Sequence, residues 1–366
     1  MQTCKKCILN DSYPNLKFDE NGVCSLCKNR KTYISNVNSD KELLEIFDKV
    51  KKRGLQFDAL VPLSGGKDST YILYLAVEVY KLNVLAMTYD NGFLSNLAWS
   101  NIHNAIEKTK VKHIVCKPNL EIQKKIYRNL LLLSGDMCGA CDIGTKANIL
   151  KTAKDYSIPL ILYGNSPLEE DSFVPDTIQD ISRLKYILKQ TKDLSKTEIN
   201  EFLVYPNYNF FRHSFNKKFG IMAKEISPLF YIDVPSDKEM GIIISEKLNW
   251  HDDNREYSKH LDCLAEPFTN YIRNKIYGYE RRLCQYSNMI RNNEISRELA
   301  MELYRSDKIE SLPENYNVVL DYLNLSHEDI STIISNKALK YENKTSRINK
   351  IYARLINLKR KVLQHY

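Results

Sequence analysis

The sequence predicts a doubly wound α/β fold, a parallel sheet carrying helices on both faces. Three observations predict it. Short apolar runs alternate with helical patterns between residues 58 and 163. The small-residue turn Ser64-Gly65-Gly66-Lys67-Asp68-Ser69 joins the first of those runs to the first of those helices. From about residue 236 the pattern is helical to the end, which confines the sheet to the middle of the chain. A βαβα rhythm of this kind is that of parallel sheets covered on both faces.

The elements follow in order. Leu43, Leu44, Ile46, Phe47 and Val50 recur at helical spacing, so a helix is expected over 39–53, capped by Ser39 or Asp40. The first strand is expected at Asp58–Leu63, and its helix runs to Tyr80. The second strand, Asn83–Tyr89, ends in Asp90-Asn91-Gly92. A helix at Asn96–Thr109, a strand at His113–Lys117 and a helix at Leu120–Leu133 come next. A further helix, Gly144–Tyr156, leads to strand Pro159–Tyr163, which ends in Gly164-Asn165-Ser166-Pro167. Glu225–Phe230 reads as a last strand or its exit. Ser296-Arg297-Glu298-Leu299 and Ser326-His327-Glu328-Asp329 read as helix starts. Ligands of such sheets sit beyond the carboxyl ends of the strands. Ser64–Ser69, Tyr89–Gly92 and Gly164–Ser166 are therefore expected to share one cleft.

Residues 170–222 break the rhythm, with Glu169, Glu170 and Asp171 before a run of aromatics that includes Tyr205, Tyr208, Phe210, Phe211 and Phe215. They read as a helical insertion or lid, or as a packed peripheral loop. The expected organisation is a metal knuckle at 1–38, an α/β domain at 39–235 and a helical domain at 236–366.

The chain has 366 residues, 43% of them apolar and 27% charged, in the range of globular proteins. It holds no apolar run long enough to span a membrane, and its N-terminus lacks the apolar stretch of a signal peptide. A cytoplasmic location is expected. The net charge of +8 lies at one end, because residues 331–366 carry nine Lys or Arg against one acid, Glu342. That segment reads as a terminal helix docking by an apolar stripe with a solvated basic face, or as a patch for nucleic acid or another acidic partner.

Nine cysteines divide the chain, and six form Cys-x-x-Cys pairs. Cys4, Cys7, Cys24 and Cys27 have the spacing of a Cys₄ zinc knuckle, with 16 residues between the pairs. So short a segment lacks a core of its own, and a bound Zn²⁺ would supply much of its folding energy. Cys138 and Cys141 lie near a helix start, a place that lowers thiol pKa values. They are open to three readings: half of a structural site, a persulfide carrier, or part of an iron–sulfur site whose third and fourth ligands the sequence does not show. Cys116, Cys263 and Cys284 read as buried, inert thiols, the last two in helical patterns.

The loop Ser64–Ser69 has the parts of a phosphate cradle. Glycines let backbone N–H groups approach an anion, and a helix start follows at once. Hydroxyls of Ser64, Ser69 and Thr70 and the charge of Lys67 add to it. The spacing is not that of the Walker loop.

All six residues match the pyrophosphate-loop motif Ser-Gly-Gly-Lys-Asp-Ser, and the chain resembles that superfamily. Its enzymes split ATP between the α and β phosphates. Further segments narrow the resemblance: Gly22-Val23-Cys24-Ser25-Leu26-Cys27, Gly135-Asp136-Met137-Cys138-Gly139-Ala140-Cys141, and a late stretch with Asp262-Cys263, Asn270-Tyr271, Gly278, Ile290-Arg291-Asn292, Ile295-Ser296-Arg297-Glu298 and Ala300. Together these resemble the N-acetyl sugar amidotransferase family of bacterial surface-glycan synthesis.

The resemblance implies ATP, Mg²⁺ and Zn²⁺ as cofactors and a sugar or nucleotide sugar as substrate. It implies ammonia from glutamine through a separate glutaminase, no membrane contact, and leaves a homodimer open. An acetamido oxygen would be adenylated, and ammonia would displace AMP to give an acetamidino group. Gly65 and Gly66 would hold pyrophosphate, Lys67 would offset charge, Asp68 would hold Mg²⁺, and Tyr89, Asp90 and Gly164 would line the nucleotide site. Cys138 and Cys141 join Lys67 and Asp68 as candidate catalytic residues. The family pattern places an acid after the glycine of the fourth strand, whereas this chain has Gly164-Asn165; the acids at 169–171 take its place or the substrate differs. The rival reading is sulfur transfer to tRNA or to a small carbonyl compound by way of Cys138 and Cys141.

Overall fold

A computed structural model describes residues 2–29, 37–167, 181–203, 222–252, 262–307 and 309–335. Among them, five strands form one parallel sheet: β1 (Ala59–Pro62), β2 (Val84–Tyr89), β3 (Lys112–Cys116), β4 (Leu160–Leu162) and β5 (Lys224–Ile226). Their order is β3-β2-β1-β4-β5. The chain thus winds outward from β1 in one direction and then restarts on its other side at β4. The doubly wound fold expected from the alternation is the fold observed, and the switch point lies between β1 and β4.

Both faces are buried, as period-two alternation requires. Ala59, Val61, Leu63, Val84 and Ala86 join Leu43, Phe47, Ile72, Ile102, Ile244 and Trp250 in one apolar cluster. Leu60, Leu85, Met87 and Tyr89 point the other way, onto Ile149, Leu150 and Ala153. A strand with apolar residues on both faces reads as a continuous apolar run, and Ala-Leu-Val is one.

The helices are close to expectation where local signals are strong. Asn96–Thr109 has the expected bounds: the Ser95 side chain accepts a hydrogen bond from the Ala98 N–H, and Lys110 closes the helix in the left-handed region. The helix after β1 differs. It is α-helical over Lys67–Tyr74 and then π-helical over Leu75–Val79, where the Tyr80 N–H reaches the Leu75 carbonyl at 2.8 Å. The helix expected from Gly144 begins six residues earlier, at Cys138, and runs to Asp155.

A second core lies beside the sheet. Helix Leu120–Ser134 contributes Ile126, Leu130 and Leu131, and helix Glu266–Tyr277 contributes Phe268 and Ile272. Helices Ile181–Leu188 and Lys196–Leu203 bury Leu184, Ile187, Phe202 and Leu203 in the same cluster. The described part of the 170–222 segment is therefore helical and packed. Its acids at 169–171 and its aromatics from Tyr205 to Phe215 lie outside the described residues, as does the basic stretch 336–366.

The N-terminal knuckle is not free-standing. Ile8 and Leu9 pack with Leu283, Tyr286 and Ala300 of helices Arg281–Arg291 and Arg297–Asp307. Arg297 donates to the carbonyls of Cys7 at 3.2 Å and Cys4 at 3.3 Å. Among the described residues, no helix is long and apolar enough to cross a membrane.

Candidate nucleotide site and thiol clusters

The loop Ser64–Ser69 leaves β1 at the switch point, where an α/β sheet offers its ligand crevice. Gly65 has φ +82°, and a Cβ there would lie 2.3 Å from the Ala98 carbonyl oxygen. Only glycine fits that left-handed turn so close to a second backbone. The turn is pinned from outside, since the Gly65 carbonyl accepts from Trp250 Nε1 at 3.0 Å and Asn101 Nδ2 at 3.3 Å. Inside, the Ser64 N–H donates to Ser69 Oγ at 3.2 Å and the Gly66 N–H donates to Ser64 Oγ at 3.3 Å. Thr70 Oγ1 donates to the Gly66 carbonyl at 2.8 Å. The loop is thus preshaped by its own hydroxyls.

Lys67 sits at the first position of the helix with its side chain only 10% exposed. Its ammonium pairs with Asp68 and, at 2.8 Å, with Oδ1 of Asp237. Burial works against its charge, but the two carboxylates outweigh burial and raise its pKa. Asp237 opens helix Asp237–Leu248, 170 residues from the loop. The Asp262 carboxylate stands 3.6 Å from where a Gly66 Cβ would be. Asp237 has no local sequence signal, whereas Asp262 belongs to the late segment Asp262-Cys263.

The exit of β4 meets this loop. A Cβ on Gly164 would lie 3.0 Å from both the backbone carbonyl carbon and the Cβ of Asp68, so β4's exit packs directly against the loop's helix. Asp90 follows β2 half-buried, its Oδ1 accepting the Gly92 N–H at 3.1 Å. The Tyr89 side chain turns away from the crevice. It is buried among the β2 and 138–155 helix residues, and Gln123 Nε2 lies 3.5 Å from its hydroxyl. Burial raises its pKa.

The thiols behave differently from expectation. Cys138 heads its helix, and its N–H donates to Asp136 Oδ1 at 2.7 Å. It is open to solvent, yet the surrounding protein strips water from the thiol, and with the Asp136 carboxylate pushes its pKa up to about 12. The lowered pKa expected at a helix start is therefore corrected: desolvation and a neighbouring anion outweigh the helix terminus. Cys141 is also raised by desolvation, and its Sγ accepts from Asn91 Nδ2 at 3.5 Å. Cys263 is not helical, contrary to expectation. It bridges Leu94 in an isolated antiparallel pair, is half-buried, and lies within electrostatic reach of Cys138 and Cys141. Cys284 is buried in a helix as expected.

In the knuckle, the donor atoms of Cys4, Cys7, Cys24 and Cys27 all lie within 4.8 Å of one another. Cys4 and Cys27 sulfurs are 3.9 Å apart and Cys7 and Cys24 sulfurs 3.7 Å. A tetrahedron of thiolates about 2.3 Å from a central ion has edges of about 3.8 Å. The N–H groups of Lys6, Cys7 and Cys24 all donate to Cys4 Sγ. The site can hold one tetrahedral metal ion.

Fold and loop together define an α/β protein with a phosphate-binding type loop at its switch point. Residues 254–356 match the family described as LPS biosynthesis protein WbpG-like, C-terminal domain. A stretch of 96 residues, 26% of this chain, is 33% identical to the uncharacterized protein MJ1599 of Methanocaldococcus jannaschii, and the match spans 34% of that protein's length. Three solved structures are distantly similar. The U34-tRNA thiolase NcsA from Methanococcus maripaludis, with its [4Fe-4S] cluster, is 16% identical at TM-score 0.34, covering 85% of this chain and 90% of that one. The NMN synthetase from Francisella tularensis is 11% identical at TM-score 0.37, covering 81% and 97%. The glutamine-dependent NAD⁺ synthetase from Acinetobacter baumannii, in complex with ADP, is 12% identical at TM-score 0.28, covering 80% and 48%.

Proposed function

We propose that this chain uses ATP to adenylate the amide oxygen of an N-acetylated bacterial surface sugar, and that ammonia then displaces AMP to leave an acetamidino group. The observation that carries the reading is the loop Ser64–Ser69, held open at the switch point by Gly65. An amide carbonyl is a poor electrophile. Attack of its oxygen on the α phosphorus of ATP expels pyrophosphate and forms an O-adenylyl imidate. Ammonia adds to the imidate carbon, the bond to the AMP oxygen breaks, and a proton is lost. The loop's N–H groups and Lys67 would hold the pyrophosphate. Asp68 and Asp262, the acids beside the loop, would hold Mg²⁺, whose charge offsets that of the phosphates. Cys4, Cys7, Cys24 and Cys27 would hold Zn²⁺ as a structural ion. The match at 254–356 to a family described by LPS biosynthesis supports a surface-sugar acceptor.

Sulfur transfer is the second reading, favoured by the solvent-open Cys138 with Cys141 and Cys263 near it. One assay separates the two. The purified chain is given ATP, Mg²⁺, ammonium and N-acetylated nucleotide sugars, and pyrophosphate and product mass are read. Amidination gives a product lighter by the difference between O and NH, and Cys138→Ser retains it. Pyrophosphate release only with a sulfur donor, a product heavier by the difference between S and O, and loss of both in Cys138→Ser would establish sulfur transfer instead.

A further inference from the structure

The central peptide of the loop joins two glycines, Gly65 and Gly66. Neither neighbour has a Cβ to oppose rotation of that peptide about its ends, so it turns over more easily than a peptide between ordinary residues. Its direction matters to an anion. In a trans peptide the carbonyl and the N–H point opposite ways. With the Gly65 carbonyl held outward, the Gly66 N–H faces the hollow of the loop, where it meets Ser64 Oγ at 3.3 Å. Turned over, the same peptide would present a carbonyl oxygen to a phosphate and repel it.

Two side chains hold the carbonyl outward. Trp250 Nε1 donates to it at 3.0 Å and Asn101 Nδ2 at 3.3 Å. Trp250 is 3% exposed and Asn101 fully buried, so water does not replace the Gly65 carbonyl as their partner. Trp250 is itself fixed. It follows helix Asp237–Leu248 just beyond the left-handed cap Asn249. The Asn249 carbonyl accepts from Asn104 Nδ2 at 2.8 Å. His251 is bound from both sides by Asn101, its N–H donating to Oδ1 at 2.8 Å and its carbonyl accepting from Nδ2 at 2.9 Å. Residues 249–251 are thus stitched to helix Asn96–Thr109, with the indole between them under the loop. Asp237, at the other end of the Trp250 helix, pairs with Lys67. One helix therefore reaches the loop at residue 65 through its exit and at residue 67 through its start.

We propose that Trp250 is a positioning residue for diphosphate binding: its indole N–H, with the Asn101 amide, locks the Gly65–Gly66 peptide with the Gly66 N–H facing the anion. The proposal rests on the reading of Ser64–Ser69 as a pyrophosphate loop. Its reach is confined to the diphosphate. A preset N–H costs no reorganisation when the anion arrives, whereas AMP lacks the groups that the lock serves.

The test titrates the full chain with inorganic pyrophosphate and Mg²⁺, and separately with AMP, by calorimetry. Trp250→Phe keeps a ring in the core and removes the donor. It should weaken pyrophosphate binding at least tenfold and leave AMP binding within twofold, whereas Trp99→Phe should bind both as wild type does. The chain has two tryptophans. Should Trp250→Phe not fold, both are replaced by benzothienylalanine, which puts sulfur in place of the indole N–H and keeps the shape; the same selective loss is expected. Unchanged pyrophosphate affinity in either folded protein overturns the proposal. So does an equal loss of pyrophosphate and AMP affinity, the mark of a residue that only supports the fold. Wild-type chain that binds AMP but no pyrophosphate, or neither, refutes the pyrophosphate-loop reading itself and the lock with it, a result that the variants alone do not produce.

Discussion

The ammonium of Lys67 lies 2.8 Å from Oδ1 of Asp237. A phosphate entering the loop must draw Lys67 away from that carboxylate and from Asp68. Because the Asp237 side chain is 61% exposed, the pair is screened by solvent and worth no more than about 1 kcal/mol. Asp237→Asn should therefore tighten ATP binding by up to about fivefold, and Lys67→Ala should weaken it at least tenfold. Titration calorimetry with ATP reads both. An unchanged affinity in Asp237→Asn would show that Lys67 reaches the phosphate without leaving Asp237.

Gly65 and Gly66 should fail in different ways. A methyl group on Gly65 meets the Ala98 backbone at 2.3 Å in a left-handed conformation. Left-handed strain and forced backbone movement together cost about 2–5 kcal/mol, so Gly65→Ala should unfold at clearly lower denaturant. A methyl group on Gly66 meets Ser64 Oγ at 3.4 Å and Asp262 at 3.6 Å, ordinary contacts. Gly66→Ala should fold within about 1 kcal/mol of wild type and lose ATP affinity. Urea unfolding beside nucleotide titration separates the effects; equal loss of stability in both would refute the distinction.

The knuckle depends on its dock as well as its thiols. Arg297 caps the carbonyls of Cys4 and Cys7, and its loss strands two part-buried acceptors at a cost of about 1–3 kcal/mol. Arg297→Ala should release metal to a chelator faster than wild type. Chelation itself should loosen the backbone around the already exposed Lys5, Lys6, Lys17 and Lys28 so that trypsin cuts there while the sheet stays intact. Trypsin resistance after complete metal removal would mean that Ile8 and Leu9 hold the segment alone.

What the sequence showed depended on how local the signal was. Helix starts at Arg297 and His327 were legible because Ser296 and Ser326 precede them, and each hydroxyl accepts the expected N–H. The parallel sheet follows from the alternation, whereas the strand order does not, because nothing local marks β4 as the strand that restarts beside β1. The helix at Cys138 was legible only from Gly144, because Gly139, Ala140 and Gly144 give its first turns no apolar stripe. The π turn at Leu75–Val79 had no sequence mark. Trp250, Asp237, Asp262 and Cys263 were missed as site residues for a common reason: each meets the loop or the thiols only through the tertiary fold.

Glu280 makes stability depend on pH. It is fully buried and caps helix Arg281–Arg291 by accepting from the N–H groups of Arg282 and Leu283. Burial raises its pKa from 4.5 to about 7, against the pull of those two N–H groups and of Arg282. In the window between those values the folded chain holds a proton that the unfolded chain releases. Stability from this group is therefore present below about pH 4.5 and falls as pH rises to 7, by about 3 kcal/mol in all. Glu280→Gln keeps an acceptor for the cap and removes the titration. The stability difference, wild type minus variant, should fall by about 2 kcal/mol between pH 5 and 7.5 in urea unfolding. A difference that stays flat, or rises, would mean that Arg282 keeps the folded carboxylate ionised throughout.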